Sequence, residues 1–141
     1  TAEDQGQGEA IAQSILESLK LPVPMIAIVY GEGGSGGALA LATTDQVWMF
    51  QNSTYSVLSP EGFASILWKD AKRHDEAAAV MGLTPNDLLD NHIIEYIIPE
   101  SRSHTRVFSL IRAKLDEEIQ KLANMPADKL IAQRRARFRK F

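Results

Sequence analysis

Ile26-Ala27-Ile28-Val29-Tyr30-Gly31-Glu32-Gly33-Gly34-Ser35-Gly36-Gly37-Ala38-Leu39-Ala40-Leu41 is the stretch that decides how this chain is read. It begins as an apolar, β-branched run of the kind that forms a buried strand. Five glycines follow between Gly31 and Gly37, and then an Ala/Leu run with the composition of a helix. Glycine admits positive φ and lets other groups come close to the backbone. A strand, a glycine turn and a helix start together present free N–H groups. Such donors either hold a bound phosphate or meet an oxygen that turns negative only during a reaction.

Upstream, Gly8 to Leu19 reads as an amphipathic helix with Ile11, Ile15 and Leu19 on one face. Pro22 and Pro24 end it and lead into a strand over 25–30. Downstream, the pattern predicts a helix over 36–43 and strands over 46–50 and 54–58. Ser59-Pro60-Glu61 has the form of a helix start, with Ser as N-cap, Pro at the first position and Glu in the first turn. That helix is expected to reach Trp68. An Ala-rich helix over 75–81 stops at Gly82, and Thr84-Pro85-Asn86-Asp87 opens a short one. A strand over 93–98 ends at Pro99. Val107, Phe108, Ile111, Leu115, Ile119 and Leu122 mark the stripe of a long helix, and a basic helix begins after Met125-Pro126. Strands alternating with helices predict an α/β fold with largely parallel pairing.

At 141 residues the chain suits one domain or part of a larger one, and its 45% apolar content is ordinary for a globular protein. A formal charge of -3 argues against a general nucleic-acid binder. Charge is uneven, however: Arg134, Arg135, Arg137, Arg139 and Lys140 crowd the last eight residues. The simpler reading is a solvated helix end whose cations suit the C-terminal dipole. A docking surface for a partner subunit or an anionic ligand is the other. The lack of cysteine excludes disulfides, thiol catalysis and Cys-based zinc sites within this chain. No apolar stretch approaches the roughly 20 residues that span a bilayer. The acidic, polar start Thr1-Ala2-Glu3-Asp4-Gln5 is unlike a secretory signal, which predicts a cytoplasmic protein. Thr1 stands where an initiator Met would, so the expected start lies inside a longer polypeptide.

Three chemistries compete for the glycine turn. It is not a Walker A loop, because Ala38-Leu39 stands where Lys-Ser/Thr would close one. Gly31, Gly33 and Gly36 have dinucleotide-loop spacing but lack the acidic residue expected at the end of the next strand. Gly33-Gly34-Ser35-Gly36-Gly37 satisfies the G-x-S-x-G nucleophile elbow in a strand–turn–helix setting, with Asp70 or Asp87 and His92 or His104 as downstream partners. Against that, Ser35 is equally a small residue in a tight turn, and neither His lies in a recognisable catalytic setting. The third chemistry is an oxyanion hole of backbone amides alone, in which one donor is worth about 3–4 kcal/mol of barrier.

Gly31-Glu32-Gly33-Gly34-Ser35-Gly36-Gly37-Ala38-Leu39-Ala40, together with the run from Ser53-Thr54-Tyr55 through Ser59-Pro60-Glu61-Gly62-Phe63 to Ile66-Leu67-Trp68-Lys69, resembles the bacterial acetyl-CoA carboxylase carboxyltransferase α subunit. Gly6-Gln7-Gly8-Glu9-Ala10-Ile11-Ala12 and Arg137-Phe138-Arg139-Lys140-Phe141 extend the likeness over essentially the whole chain. The resemblance implies a crotonase-superfamily fold, a spiral of ββα units. It places the C-terminal portion of the carboxyltransferase core in residues 1–100 and a C-terminal helical extension in 101–141. It also implies transfer of a carboxyl group from carboxybiotin, borne on a separate biotin carboxyl carrier protein, to acetyl-CoA. Malonyl-CoA is the product, for fatty acid synthesis. The implied assembly is α2β2, with acetyl-CoA handled mainly by the β subunit, which also holds the zinc.

The resemblance puts the oxyanion amide at Gly36 first and Gly37 next, with Gly33, Gly34 and Ser35 shaping the approach. These amides would stabilise charge on the biotin ureido oxygen as CO2 leaves. Hydratases of the superfamily carry a catalytic Glu at the position of Leu39, so enoyl hydration is not expected. Glu61 stands near a second hydratase Glu, as a relic, a first-turn acid or a site residue; helix starts commonly recruit Glu. Tyr55 either lines the site or packs within a strand. Full-length members carry a long segment before the position of Thr1, including a loop that contributes to the site. Strand 25–30 is therefore expected to expose an edge, and self-association is predicted. A further reading is an assembly fragment inactive on its own.

Overall fold

The computed structural model describes Thr1 and residues 4–140. Its strands form two small parallel sheets. The first has order β1-β3-β5, built from β1 (Ile26–Val29), β3 (Gln46–Phe50) and β5 (Tyr96–Ile98). The second joins β2 (Glu32–Gly34) to β4 (Thr54–Ser56). Ile26 pairs with Gln46 and Val29 with Met49, and then, past a corner, Glu32 pairs with Thr54 and Gly34 with Ser56. Each of two successive units thus gives one strand to each sheet and ends in a helix, α2 (Ser35–Leu41) or α3 (Pro60–Trp68). This is the expected spiral of ββα units.

The strand expected over 25–30 forms as β1. Gly31, at φ 73, turns the chain out of the first sheet, and Glu32–Gly34, read from sequence as loop, becomes β2. The strand expected over 54–58 stops at Ser56, and that expected over 93–98 begins only at Tyr96. Ile93 and Ile94 instead donate their amides to the Leu88 carbonyl, closing the end of α5 (Pro85–Asp90). Helix starts were better legible. Ser59 Oγ accepts the Gly62 amide at 3.1 Å, and Thr84 and Asp87 form a reciprocal capping box. The Ala-rich helix α4 (His74–Val80) follows a 3-10 turn at Ala71–Arg73.

β3 is the central strand and is buried on both faces, as parallel sheets require. Val47 and Met49 point into a cluster with Ala42, Tyr55, Leu88 and Ile94. Trp48 points the other way, to Ile98 and Val107, under the long helix α6 (His104–Ala123). Alternation along one strand thus feeds two cores. The amphipathic helix α1 (Gln7–Ser18) lies outside both and contains no buried residue. No helix among the described residues is long and apolar enough to cross a membrane.

In the last helix, α7 (Ala127–Arg137), Arg134 and Arg137 depart from the reading of a solvated end, whereas Arg135, Arg139 and Lys140 are exposed as that reading expects. Arg134 is completely buried. Its Nε and Nη2 form a two-pronged pair with Asp45 at 2.9 and 2.8 Å. The remaining donors reach the carbonyls of Ser18, Leu21 and Val23. Arg135 bonds the Leu19 carbonyl, and Arg137 bonds Glu95 and the Ile93 carbonyl. Arg134 and Arg137 thus satisfy buried or part-buried acceptors far away in sequence, which a local charge run cannot disclose.

Candidate functional site

α2 starts one residue after β2 ends, with no intervening loop. Gly34 caps it in an extended conformation (φ -126°, ψ 153°) and offers no side-chain bond. Gly36 and Gly37 are its second and third residues, so their amides have no carbonyl one turn back within the helix. A Cβ at Gly34 or Gly37 would meet nothing within 4 Å. At Gly36 it would lie 3.5 and 3.6 Å from the Ile11 methyls of α1. Gly33 is the crowded position: a Cβ there would stand 3.0 Å from Val29 Cγ1 and 3.3 Å from Tyr55 Cδ2. The strand pair can close only because that side chain is missing.

Tyr55 is buried in the core cluster beside Gly33. Burial pushes its phenol above the ordinary value, and the Arg137 charge pulls weakly the other way, so it stays neutral near pH 7. Its ring also borders an apolar cavity of about 380 Å³, with Leu39, Leu58, Phe63 and Leu88. Leu39 thus contributes hydrocarbon to the wall of this cavity. Gly36 and Gly37 line neither this cavity nor the three others described beside it. Glu61 is exposed in the first turn of α3 and makes no hydrogen bond to a described residue, which agrees with a charge placed for the helix dipole.

Ser35 has the left-handed backbone, φ 57, that an elbow nucleophile adopts. It lacks the rest of the machinery among the described residues. No acid or base bonds its hydroxyl. His92 borders the apolar cavity, whereas His104 borders a different one with Tyr30 and Phe50. Asp70 caps the 3-10 turn through the Lys72 amide, and Asp87 is held in the capping box. The elements do not assemble a triad. Sequence reasoning missed Asp45, Glu95 and the depth of Arg134 and Arg137. One signal was available: Thr43-Thr44-Asp45 is a polar triplet between an Ala/Leu helix and an apolar strand, and all three are buried.

The model of a family described as "Acetyl co-enzyme A carboxylase carboxyltransferase-like" matches residues 1–141. The chain belongs to that family. It is 53% identical over 141 residues to the acetyl-coenzyme A carboxylase carboxyl transferase subunit alpha of Streptococcus pyogenes serotype M5 (strain Manfredo), covering 99% of this chain and 55% of that protein. To the subunit of the same name from Streptococcus sanguinis (strain SK36) it is 49% identical with the same coverage. The chain therefore spans about half the length of these carboxyltransferase relatives. Among solved structures it resembles a Pseudomonas malonate decarboxylase hetero-tetramer in complex with coenzyme A, with TM-score 0.75 and 16% identity over 94% of this chain and 54% of that one. An enoyl-CoA hydratase from Mycobacterium avium subsp. paratuberculosis K-10 follows at TM-score 0.56 and 20% identity, over 89% of this chain and 53% of that one. At such identities the likeness establishes the crotonase-like fold alone.

Proposed function

We propose that this chain forms the C-terminal part of the α subunit of an acetyl-CoA carboxylase carboxyltransferase. In this reading the enzyme moves a carboxyl group from carboxybiotin, presented by a carrier protein, to acetyl-CoA, giving malonyl-CoA for fatty acid synthesis in the cytoplasm. The observation that supports it most is the opening of α2 directly off β2, with Gly36 and Gly37 as its second and third residues and open space beside Gly37. The ureido oxygen of biotin gathers negative charge as its N–CO2 bond breaks. Peptide N–H groups fixed beforehand stabilise that charge without reorganising. Gly33, Gly34 and Ser35 keep the approach free of bulk; Tyr55 and Glu61 act as a wall and a helix-start charge. The released CO2 is captured by the acetyl-CoA enolate held by the β subunit of an α2β2 assembly. Residues 1–100 would be the core portion and 101–141 the extension.

The test is the reverse reaction. The full-length α subunit, mixed with β subunit, biocytin and malonyl-CoA, should form acetyl-CoA and carboxybiocytin. Ser35→Ala should keep most of that rate, because the amides remain. Labelling of Ser35 by a fluorophosphonate, with loss of turnover in Ser35→Ala, would instead establish a serine nucleophile.

A further inference from the structure

We infer that Arg134 is a positioning residue for the glycine turn and acts on it through α1. The activity arm of this inference rests on the carboxyltransferase reading; the structural arm does not.

α1 has no fully buried residue; its Ile11 and Ile15 are half-buried, and it packs chiefly against α2. Its C-terminal end is fastened from the far end of the chain. Arg134 Nη1 donates to the Ser18 carbonyl at 2.7 Å and to the Leu21 carbonyl at 2.8 Å, and Nη2 to the Val23 carbonyl at 2.7 Å. Arg135 adds the Leu19 carbonyl at 3.2 Å. The last carbonyls of a helix have no intrahelical partner, and here α7 supplies one. Asp45 fixes the guanidinium and also accepts a hydrogen bond from the Met25 amide at 2.8 Å, which ties the same loop to the start of the first sheet.

α1 also packs against α2, the helix that opens at the glycine turn. Ile11 is the side chain against Gly36, where a Cβ would touch its methyls. Ile11 lies about 10 Å along the axis from Ser18. A tilt of α1 about its fastened end therefore sweeps Ile11 across the face of Gly36. Arginine is required for the fastening. Its planar fork reaches a carboxylate on one side and carbonyls on the other, whereas lysine offers three donors from one atom.

The experiment uses the full-length subunit, free and with the β subunit, and compares Arg134→Lys and Ile11→Ala with the parent by hydrogen exchange and kinetics. Both variants should make residues 31–41 exchange about tenfold faster or more, with β3 unchanged. Both should lower kcat while leaving KM for malonyl-CoA near the parent value. Should Arg134→Lys fail to fold, Arg135→Ala, which removes only the Leu19 bond, is the graded substitute. Faster exchange confined to residues 7–24, with kcat unchanged, overturns the inference: Arg134 is then a cap for α1 and nothing more. An inactive parent whose turn still loosens in both variants leaves the positioning intact and removes the carboxyltransferase reading instead.

Discussion

The glycine turn and the C-terminal helix are the two ends of what this sequence discloses. The turn is built from backbone, so its geometry shows as composition: five glycines between a strand and a helix. α7 works with side chains across the whole molecule. Its guanidinium groups find carbonyls and carboxylates more than 40 and up to 116 residues away. A run of arginines looks the same whether it faces water or fills the interior. Local structure built from peptide groups is legible; long-range structure built from side chains is not.

The comparison breaks most easily at Arg134. Arg134→Ala strands Asp45 in the interior and should cost about 3–5 kcal/mol in urea unfolding. The pair Arg134→Met with Asp45→Leu should recover much of it. A cost under about 1 kcal/mol would make the tail an ordinary surface after all. Within the turn, the glycines should separate by space. Gly33→Ala forces Val29 and Tyr55 aside and should cost about 1–3 kcal/mol. Gly34→Ala, with nothing within 4 Å, should stay within about 0.5 kcal/mol. The smallest effect lies in acid. Hydrogen bonds to Glu118 from Lys114, then Gln46 and Lys121, hold its carboxyl near 2 instead of 4.5. The folded value lies below the unfolded one, so this stability is complete above pH 4.5 and fades as pH falls toward 2. Glu118→Gln should flatten that part of the stability profile, by less than about 1 kcal/mol because the partners are surface helix pairs.

Most of the architecture was readable for a physical reason. Caps and apolar stripes act within one or two turns, so Ser59, Thr84 and the stripe of α6 announced their helices. β2 was not readable: Glu32-Gly33-Gly34 has no strand propensity, and only the ladder to Thr54–Ser56 makes it one. Ile93 and Ile94 look like strand but form an irregular bend, because their amides go to the Leu88 carbonyl instead of a sheet partner. At the site, the order Gly33 to Gly37 was plain, but its unequal crowding depends on Val29, Tyr55 and Ile11 and needed coordinates.

The order β1-β3-β5 has a mechanical consequence. All three strands run the same way, and among the described residues the outer flanks of β1 and β5 are unpaired. One flank of such a parallel ribbon matches the opposite flank of another copy, head to tail. Addition of that kind does not stop at two, because no twofold axis closes it. Left bare, such flanks would let copies add in an open-ended line rather than as a closed pair.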